Sequence, residues 1–127
     1  MQNLQFKNGL LYTSVRLIHN GKEVIVNDVI VDTGASHTII LSDYLLDLDV
    51  GFLDTDELVK SSGYGGIVFS AVRKKLDRVC LEGVCLEHIK VDFGEIDPYE
   101  RVNGLIGLDF LMRSKVVIDL EGLTISN

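Results

Sequence analysis

The chain has 127 residues, the size of one domain. A domain of that size buries about two-thirds of its unfolded surface, enough for a core without covalent staples. A hydrophobic fraction of 46% and a charged fraction of 24% are ordinary for a soluble globular protein. The formal net charge of -7 argues against a nucleic-acid partner, because phosphate recognition needs clustered Lys and Arg.

The one basic cluster, Arg73-Lys74-Lys75, is closely followed by Asp77 and reads as a solvated strand face. Met1 to Lys7 has no apolar stretch after a basic start, so no secretory leader is expected. No apolar run approaches the roughly 18 residues that span a membrane. Cys80 and Cys85 are too few for a disulfide framework. The simplest expectation is a cytoplasmic protein with both thiols reduced; a redox-sensitive bridge across strands is the other reading.

In chain order, short aliphatic and β-branched runs alternate with Gly, Asn and Asp, an all-β pattern. Residues 10–19 and 22–31 predict two strands joined at Asn20-Gly21, where both central positions of a tight hairpin need positive φ. Thr38 to Leu41 predicts a short buried strand. Ser42 with Asp43 predicts the cap of one helical turn through Leu46. Residues 50–57 read as loop, and residues 58–79 as a long hairpin with its tip at 61–66. A further hairpin joins 76–81 to 84–91 around Glu82-Gly83. Asp97-Pro98 breaks the next segment. Gly107 to Arg113 predicts a short helix with Leu108, Leu111 and Met112 inward. Strands at 116–119 and 123–125 flank a turn at Glu121-Gly122. The sum is an all-β fold, a small closed or nearly closed β-barrel with one short C-terminal helix.

Chemistry concentrates where the apolar strand Val29-Ile30-Val31 ends in Asp32-Thr33-Gly34. A carboxylate directly after a buried strand is costly to desolvate. Gly34 lets backbone N–H groups approach it. A plain turn, which Asp-Thr-Gly also makes well, is the competing reading. Ser36 and His37 are adjacent and would diverge on a strand. Thr38 stands where a Gly-x-Ser-x-Gly elbow needs its last glycine, so no serine nucleophile is indicated. The three histidines lack ligand spacing, so no metal is expected.

The stretch from Val29 to Ile40, with Asp32-Thr33-Gly34-Ala35-Ser36 inside it, resembles the active-site signature of the retropepsin family of aspartic peptidases. A second family landmark, two apolar residues and a glycine before a short helix, is matched by Leu105-Ile106-Gly107. The ending from Val117 to Ile125 resembles the family's closing strand, turn and strand. The likeness covers residues 10–126, so 1–127 is expected to be one such domain.

That resemblance implies an endopeptidase that hydrolyses peptide bonds with water, without a cofactor. Asp32 would be the catalytic carboxylate. Thr33 would hydrogen-bond across a dimer axis, and Gly34 would present its N–H to the carboxylates. Ala35, placed beside substrate, cannot donate a side-chain hydrogen bond as Ser or Thr would. The family needs two carboxylates sharing a proton, and this chain has a single Asp-Thr-Gly; Asp97, Asp109 and Asp119 are not followed by Thr-Gly or Ser-Gly. A homodimer acting on a peptide or protein is implied. Gly63-Tyr64-Gly65-Gly66 resembles the tip of the family's substrate-covering flap; an ordinary Gly-rich hairpin is the other reading, and Tyr64 either touches substrate or packs on the flap. The alternative function is a binding or dimerisation module of the same fold with little activity.

Overall fold

The computed structural model describes residues 2–51, 53, 56–62, 68–81, 83–96 and 101–127. Its strands are β1 (Gln2–Asn3), β2 (Gln5–Lys7), β3 (Leu10–His19), β4 (Lys22–Val31), β5 (Ile39–Leu41), β6 (Glu57–Ser62), β7 (Val68–Leu81), β8 (Val84–Gly94), β9 (Gly104–Ile106), β10 (Val117–Asp119) and β11 (Thr124–Ser126). Two helices, α1 (Tyr44–Asp47) and α2 (Leu108–Ser114), interrupt them.

The β3–β4 hairpin turns at Asn20 and Gly21, with φ of 50° and 79°. These are the left-handed values that a two-residue turn of this hand requires. Asn8 and Gly9 repeat the device, at 53° and 76°, and join β2 to β3. That second Asn-Gly was as visible in the sequence as the first, yet the N-terminal segment had no expected structure.

The larger sheet has the order β2-β3-β4-β9-β5-β8-β7-β6. β3 also pairs with β7, through Arg16↔Cys80, Leu17↔Val79 and Ile18↔Arg78. The pairings β3–β4–β9–β5–β8–β7–β3 therefore run round a closed circuit, as the expected closed sheet requires. A register shift between Thr13 and Val15 bends β3 so that it can serve two partners. Inside the circuit lie Leu17, Val26, Leu76, Val79, Ile89, Val91, Phe93, Ile106 and Phe110, all essentially inaccessible to water. A second cluster, including Tyr12, Ile30, Ile39, Ala71, Ile96, Val102 and Leu105, packs next to it.

The terminal segments form a separate three-stranded antiparallel sheet in the order β1-β11-β10. Gln2 pairs with Ile125 and Ile118 with the same Ile125 from the other side. Both chain ends thus pair within one chain. No helix among the described residues is long and apolar enough to cross a membrane.

Four local expectations are corrected. Asp43 does stand at the N-cap of α1, but its backbone is helical (φ -56°, ψ -30°) and its side chain makes no cap bond. Side-chain capping needs an extended cap residue; here the turn is held by Leu45 N–H donating to Ser42 O at 3.0 Å and by buried Leu45. In α2 the inward residues are Phe110, Leu111 and Ser114, while Met112 is 70% exposed. The i, i+1, i+4 positions share one face, and Met112 lies off it. Ser114 is tolerated there because its hydroxyl donates to Phe110 O at 2.8 Å. Cys80 and Cys85 are joined in a disulfide, not reduced: the tight β7–β8 turn sets them directly opposite each other, with Cα atoms 4.1 Å apart. Ser36 and His37 do not diverge. They lie in a bend, not a strand, and Ser36 Oγ is 3.0 Å from His37 Nδ1.

Candidate active site

The backbone of Asp32 is placed by β9. The last residues of β4 run parallel to it, with Val29↔Gly104, Ile30↔Leu105 and Val31↔Ile106. Asp32 N–H continues this ladder by donating to Ile106 O at 3.0 Å. On its other side β9 pairs antiparallel with β5, through Ile39↔Leu105 and Ile40↔Gly104. So one short strand grips both the strand that enters the Asp32 loop and the strand that leaves it. Gly104 permits this close crossing, since a Cβ there would lie 2.6 Å from Ile40 Cδ1 and 3.0 Å from Ile39 O.

Within the loop, Ala35 N–H donates to Asp32 O at 3.2 Å. Gly34 N–H donates to Asp32 Oδ1 at 2.9 Å, and a Cβ on Gly34 would come within 3.2 Å of that oxygen. Asp32 is half-buried, Thr33 and Gly34 are exposed at the apex, and Ala35 is buried beneath it. The carbonyl of Ala35 accepts a bond from Leu108 N–H at 2.8 Å. Gly107 packs so tightly under the loop that a Cβ would meet Ala35 O at 2.8 Å and His37 O at 2.9 Å. Ile106 therefore meets Asp32, Gly107 meets Ala35 and His37, and Leu105 pairs with Ile30 on one side and Ile39 on the other.

Two residues at the centre of this brace were not anticipated. Thr38, 2% exposed, accepts Gly107 N–H at 3.1 Å and donates its hydroxyl to Asp109 Oδ1 at 2.8 Å. Asp109 also accepts Thr38 N–H at 3.1 Å and Phe110 N–H at 2.8 Å. One carboxylate thus ties the end of the Asp32 loop to the first turn of α2, where a negative charge is favoured. An acid two residues after the landmark glycine, at a helix start, was the available signal.

A second chain of polar contacts leads from the loop to the β6–β7 hairpin. Thr38 O accepts Asp92 N–H at 3.0 Å. The Asp92 carboxylate, 2% exposed, takes two bonds from the Arg73 guanidinium, at 2.7 and 3.1 Å. Arg73 reaches Glu57 as well, at 3.1 Å, and these carboxylates, Asp92 first, hold its pKa above the usual arginine value. Beside it, Lys74 bonds both oxygens of Asp56, at 2.8 and 2.7 Å. Leu53 N–H and then Lys74 hold the Asp56 carboxyl below its ordinary range. Two of the three basic residues are therefore not on a solvated face: Lys74 is 8% exposed, and it and Arg73 clamp the base of the hairpin, while Lys75 is exposed. The hairpin stems pair from Glu57↔Arg73 to Ser62↔Val68. Gly63, Tyr64, Gly65 and Gly66, the expected flap tip, lie outside the described residues.

A cavity of 610 Å³ lies between β1 and the β3–β4 hairpin, lined among others by Gln2, Thr13, Arg16 and Asn27. It includes no residue of the Asp32 loop. Among the described residues, no three His, Cys, Asp or Glu side chains gather as a metal site.

The aspartyl protease family profile matches residues 14–110, most of the chain and both halves of this brace. The chain belongs to the aspartyl protease family. Its fold is that of the retropepsin-like members. A retropepsin-like aspartic protease from Rickettsia conorii superposes with a TM-score of 0.67 at 21% identity, covering 98% of this chain and 87% of that one. The retroviral protease-like domain of Ddi1 from Leishmania major gives 0.61 at 22% identity, with 92% and 86% covered. No curated protein sequence matches the chain. In this chain the Asp32 loop is braced from below by Ile106 and Gly107, with Thr33 and Gly34 exposed at its apex.

Proposed function

We propose that this aspartyl protease chain is an aspartic endopeptidase, one domain per subunit, whose active form is a homodimer with two Asp32 carboxylates at its centre. The observation that supports it most is the Asp32 loop itself. A half-buried carboxylate takes a backbone N–H from Gly34 and is fixed at its own N–H by Ile106. Such rigidity is wasted on a plain turn and suits a group that must meet its own copy.

In this reading the two carboxylates share one proton, because like charges that close cannot both ionise; the aspartic-peptidase dyad is the standard example. The ionised member takes a proton from water while the water oxygen bonds to the scissile carbonyl carbon. The protonated member gives its proton to the carbonyl oxygen. Collapse of the resulting diol breaks the C–N bond: the proton taken from water goes to the leaving amine, and a diol hydroxyl proton passes to the other carboxylate, which releases a carboxylic acid and restores the singly protonated pair. Thr33, at the exposed apex, reaches the partner loop. Gly34 N–H orients the carboxylate, and Ala35 closes the floor beside substrate. The role of a flap tip that covers an extended peptide and excludes water is assigned in this reading to Gly63, Tyr64, Gly65 and Gly66, which lie outside the described residues. Leu105, Ile106 and Gly107 hold the loop from below.

The test is cleavage of a mixed peptide library from pH 3 to 8 by the full chain and by Asp32→Asn, with size-exclusion in parallel. Cleavage that tracks a dimer and vanishes in the variant supports the peptidase. A folded dimer that cuts nothing and does not bind pepstatin refutes it and leaves a binding module. The proposal places the chain in the cytoplasm, where the Cys80–Cys85 bridge meets reducing conditions. Thiol counting after rapid alkylation in cells tests that placement, and a fully bridged protein would point to an oxidising compartment.

A further inference from the structure

Strand β7 changes partners along its length. β8 holds one edge of it from Ala71 to Leu81. On the other edge β6 pairs as far as Arg73, and β3 takes over from Arg78 to Cys80. Between Arg73 and Arg78 no strand among the described residues covers that edge, and a cavity of 310 Å³ lies at the gap. Most charged groups that line it are already engaged. Asp56 is held by Lys74, and Glu57 by Arg73. Lys75 and Lys90 also line the cavity, and they are different. They stand directly opposite each other across β7 and β8, both exposed, and neither makes an ion pair or hydrogen bond among the described residues. Like charges placed opposite in a sheet destabilise it unless a counter-ion bridges them. His19 completes the wall: its Nδ1 accepts Asp77 N–H at 3.2 Å, which puts the ring's one proton on Nε2 as a donor. Asp77, the acid beside that ring, is occupied by Asn20 N–H at 2.9 Å.

We propose that this gap is a binding site for a phosphate dianion, free or carried by a small organic molecule, held between Lys75 and Lys90. Two cations without counter-ions call for two negative charges. A phosphate monoester supplies about -1.5 to -2 near neutral pH, whereas a single carboxylate would leave one lysine unneutralised. Lysine suits the task because it meets phosphate as a point charge and needs no planar fork. Val50 and Leu53 add an apolar wall, against which the carbon part of an organic phosphate rests. A volume of 310 Å³ exceeds what a bare ion fills and lies at the lower end of small-molecule sites, about 300–1,000 Å³. The inference does not depend on the peptidase reading, since no residue of the Asp32 loop lines this cavity.

The experiment is an amide NMR titration of the full chain at about pH 7.5, where phosphate is mostly dianionic. The probes are inorganic phosphate, phenyl phosphate and acetate. Wild type, Lys75→Gln, Lys90→Gln and the double variant are compared, and Tm is read on the same samples at fixed protein concentration. Phosphate should shift the amides of His19, Lys75 and Lys90, and each single variant should weaken binding roughly 3- to 30-fold. Without ligand the single variants should melt about 1–4 °C above the wild type, because the opposed like charges are gone. Tighter binding of phenyl phosphate than of inorganic phosphate assigns an organic phosphate, and equal binding assigns the free ion; either supports the site. No localised shift at about 10 mM phosphate, acetate bound as tightly as phosphate, or variants that bind like the wild type overturns the proposal. A wild type that melts above both single variants without ligand also overturns it, since the two lysines would then be serving the fold.

Discussion

Replacing Thr38 by Val probes whether the brace under the Asp32 loop holds the fold as its hydrogen bonds indicate. Valine keeps the volume and β-branching of a side chain that is 2% exposed, so packing changes little. What is lost is the hydroxyl. Its bond to the Asp109 carboxylate, 2.8 Å long, belongs to the charge-assisted class worth about 1.5–3 kcal/mol. Gly107 N–H, which donates to Thr38 Oγ1 at 3.1 Å, is left buried without an acceptor, at a cost of about 1–3 kcal/mol. The two losses share one oxygen and are not independent, so we expect a net destabilisation of about 3 kcal/mol. For a chain of this size that lowers Tm by about 10 °C. Calorimetry at fixed protein concentration measures it, the concentration being held because assembly shifts Tm by mass action. Thr38→Ser retains the hydroxyl and should stay within about 1 kcal/mol of the wild type. If Thr38→Val melts within about 2 °C of the wild type, the hydroxyl does not tie the loop to α2 and the reasoning fails.

Arg73→Met should destabilise by about 3–5 kcal/mol in urea unfolding, because it strands the Asp92 carboxylate, 2% exposed, without its guanidinium. Asp92→Asn in the same background should recover part of that loss; no recovery would mean that the charge is not the cause. The Asp56 carboxyl has a depressed pKa when folded, so its contribution is complete above the usual carboxyl range near pH 4 and fades as pH falls below it. The stability curves of the wild type and Asp56→Asn should therefore differ at neutral pH and converge in acid, and curves parallel at all pH would contradict the Lys74 tie. In peptide cleavage the pH optimum should lie in the mildly acidic to neutral range, since Ala35 offers no hydroxyl to stabilise the charged dyad; a profile peaking below about pH 3 would contradict this.

Much of the plan was legible in the order of residues, because it rests on local physics. Asn20-Gly21 dictates a tight turn wherever two apolar runs flank it, and β3 and β4 begin and end where that turn predicts. Asp32-Thr33-Gly34-Ala35 and Leu105-Ile106-Gly107 announced themselves because a carboxylate after a buried strand and a glycine before a helix are each unusual. Each is visible locally, although their placement depends on the contact between them. Asn8-Gly9 was equally local and could have been read the same way.

What only the tertiary structure decided is which distant groups share a neighbour. Thr38 and Asp109 are ordinary residues of a strand start and a helix start. They matter because β9 slides between β4 and β5 and brings Gly107 under the loop, a contact across about half the chain that no local preference encodes. Likewise Arg73 and Lys74 looked like part of a solvated face until Asp56, Glu57 and Asp92 converged on them. Cys80 and Cys85 became a bridge only through the register of β7 and β8. The inward face of α2 shifted from Met112 to Phe110 for the same reason. Helical periodicity offers several apolar faces, and the core that each could meet is assembled from strands on both sides of it in sequence. Short-range stereochemistry determines turns and loops, whereas burial and charge pairing depend on the closed circuit of strands and exist only once it has formed.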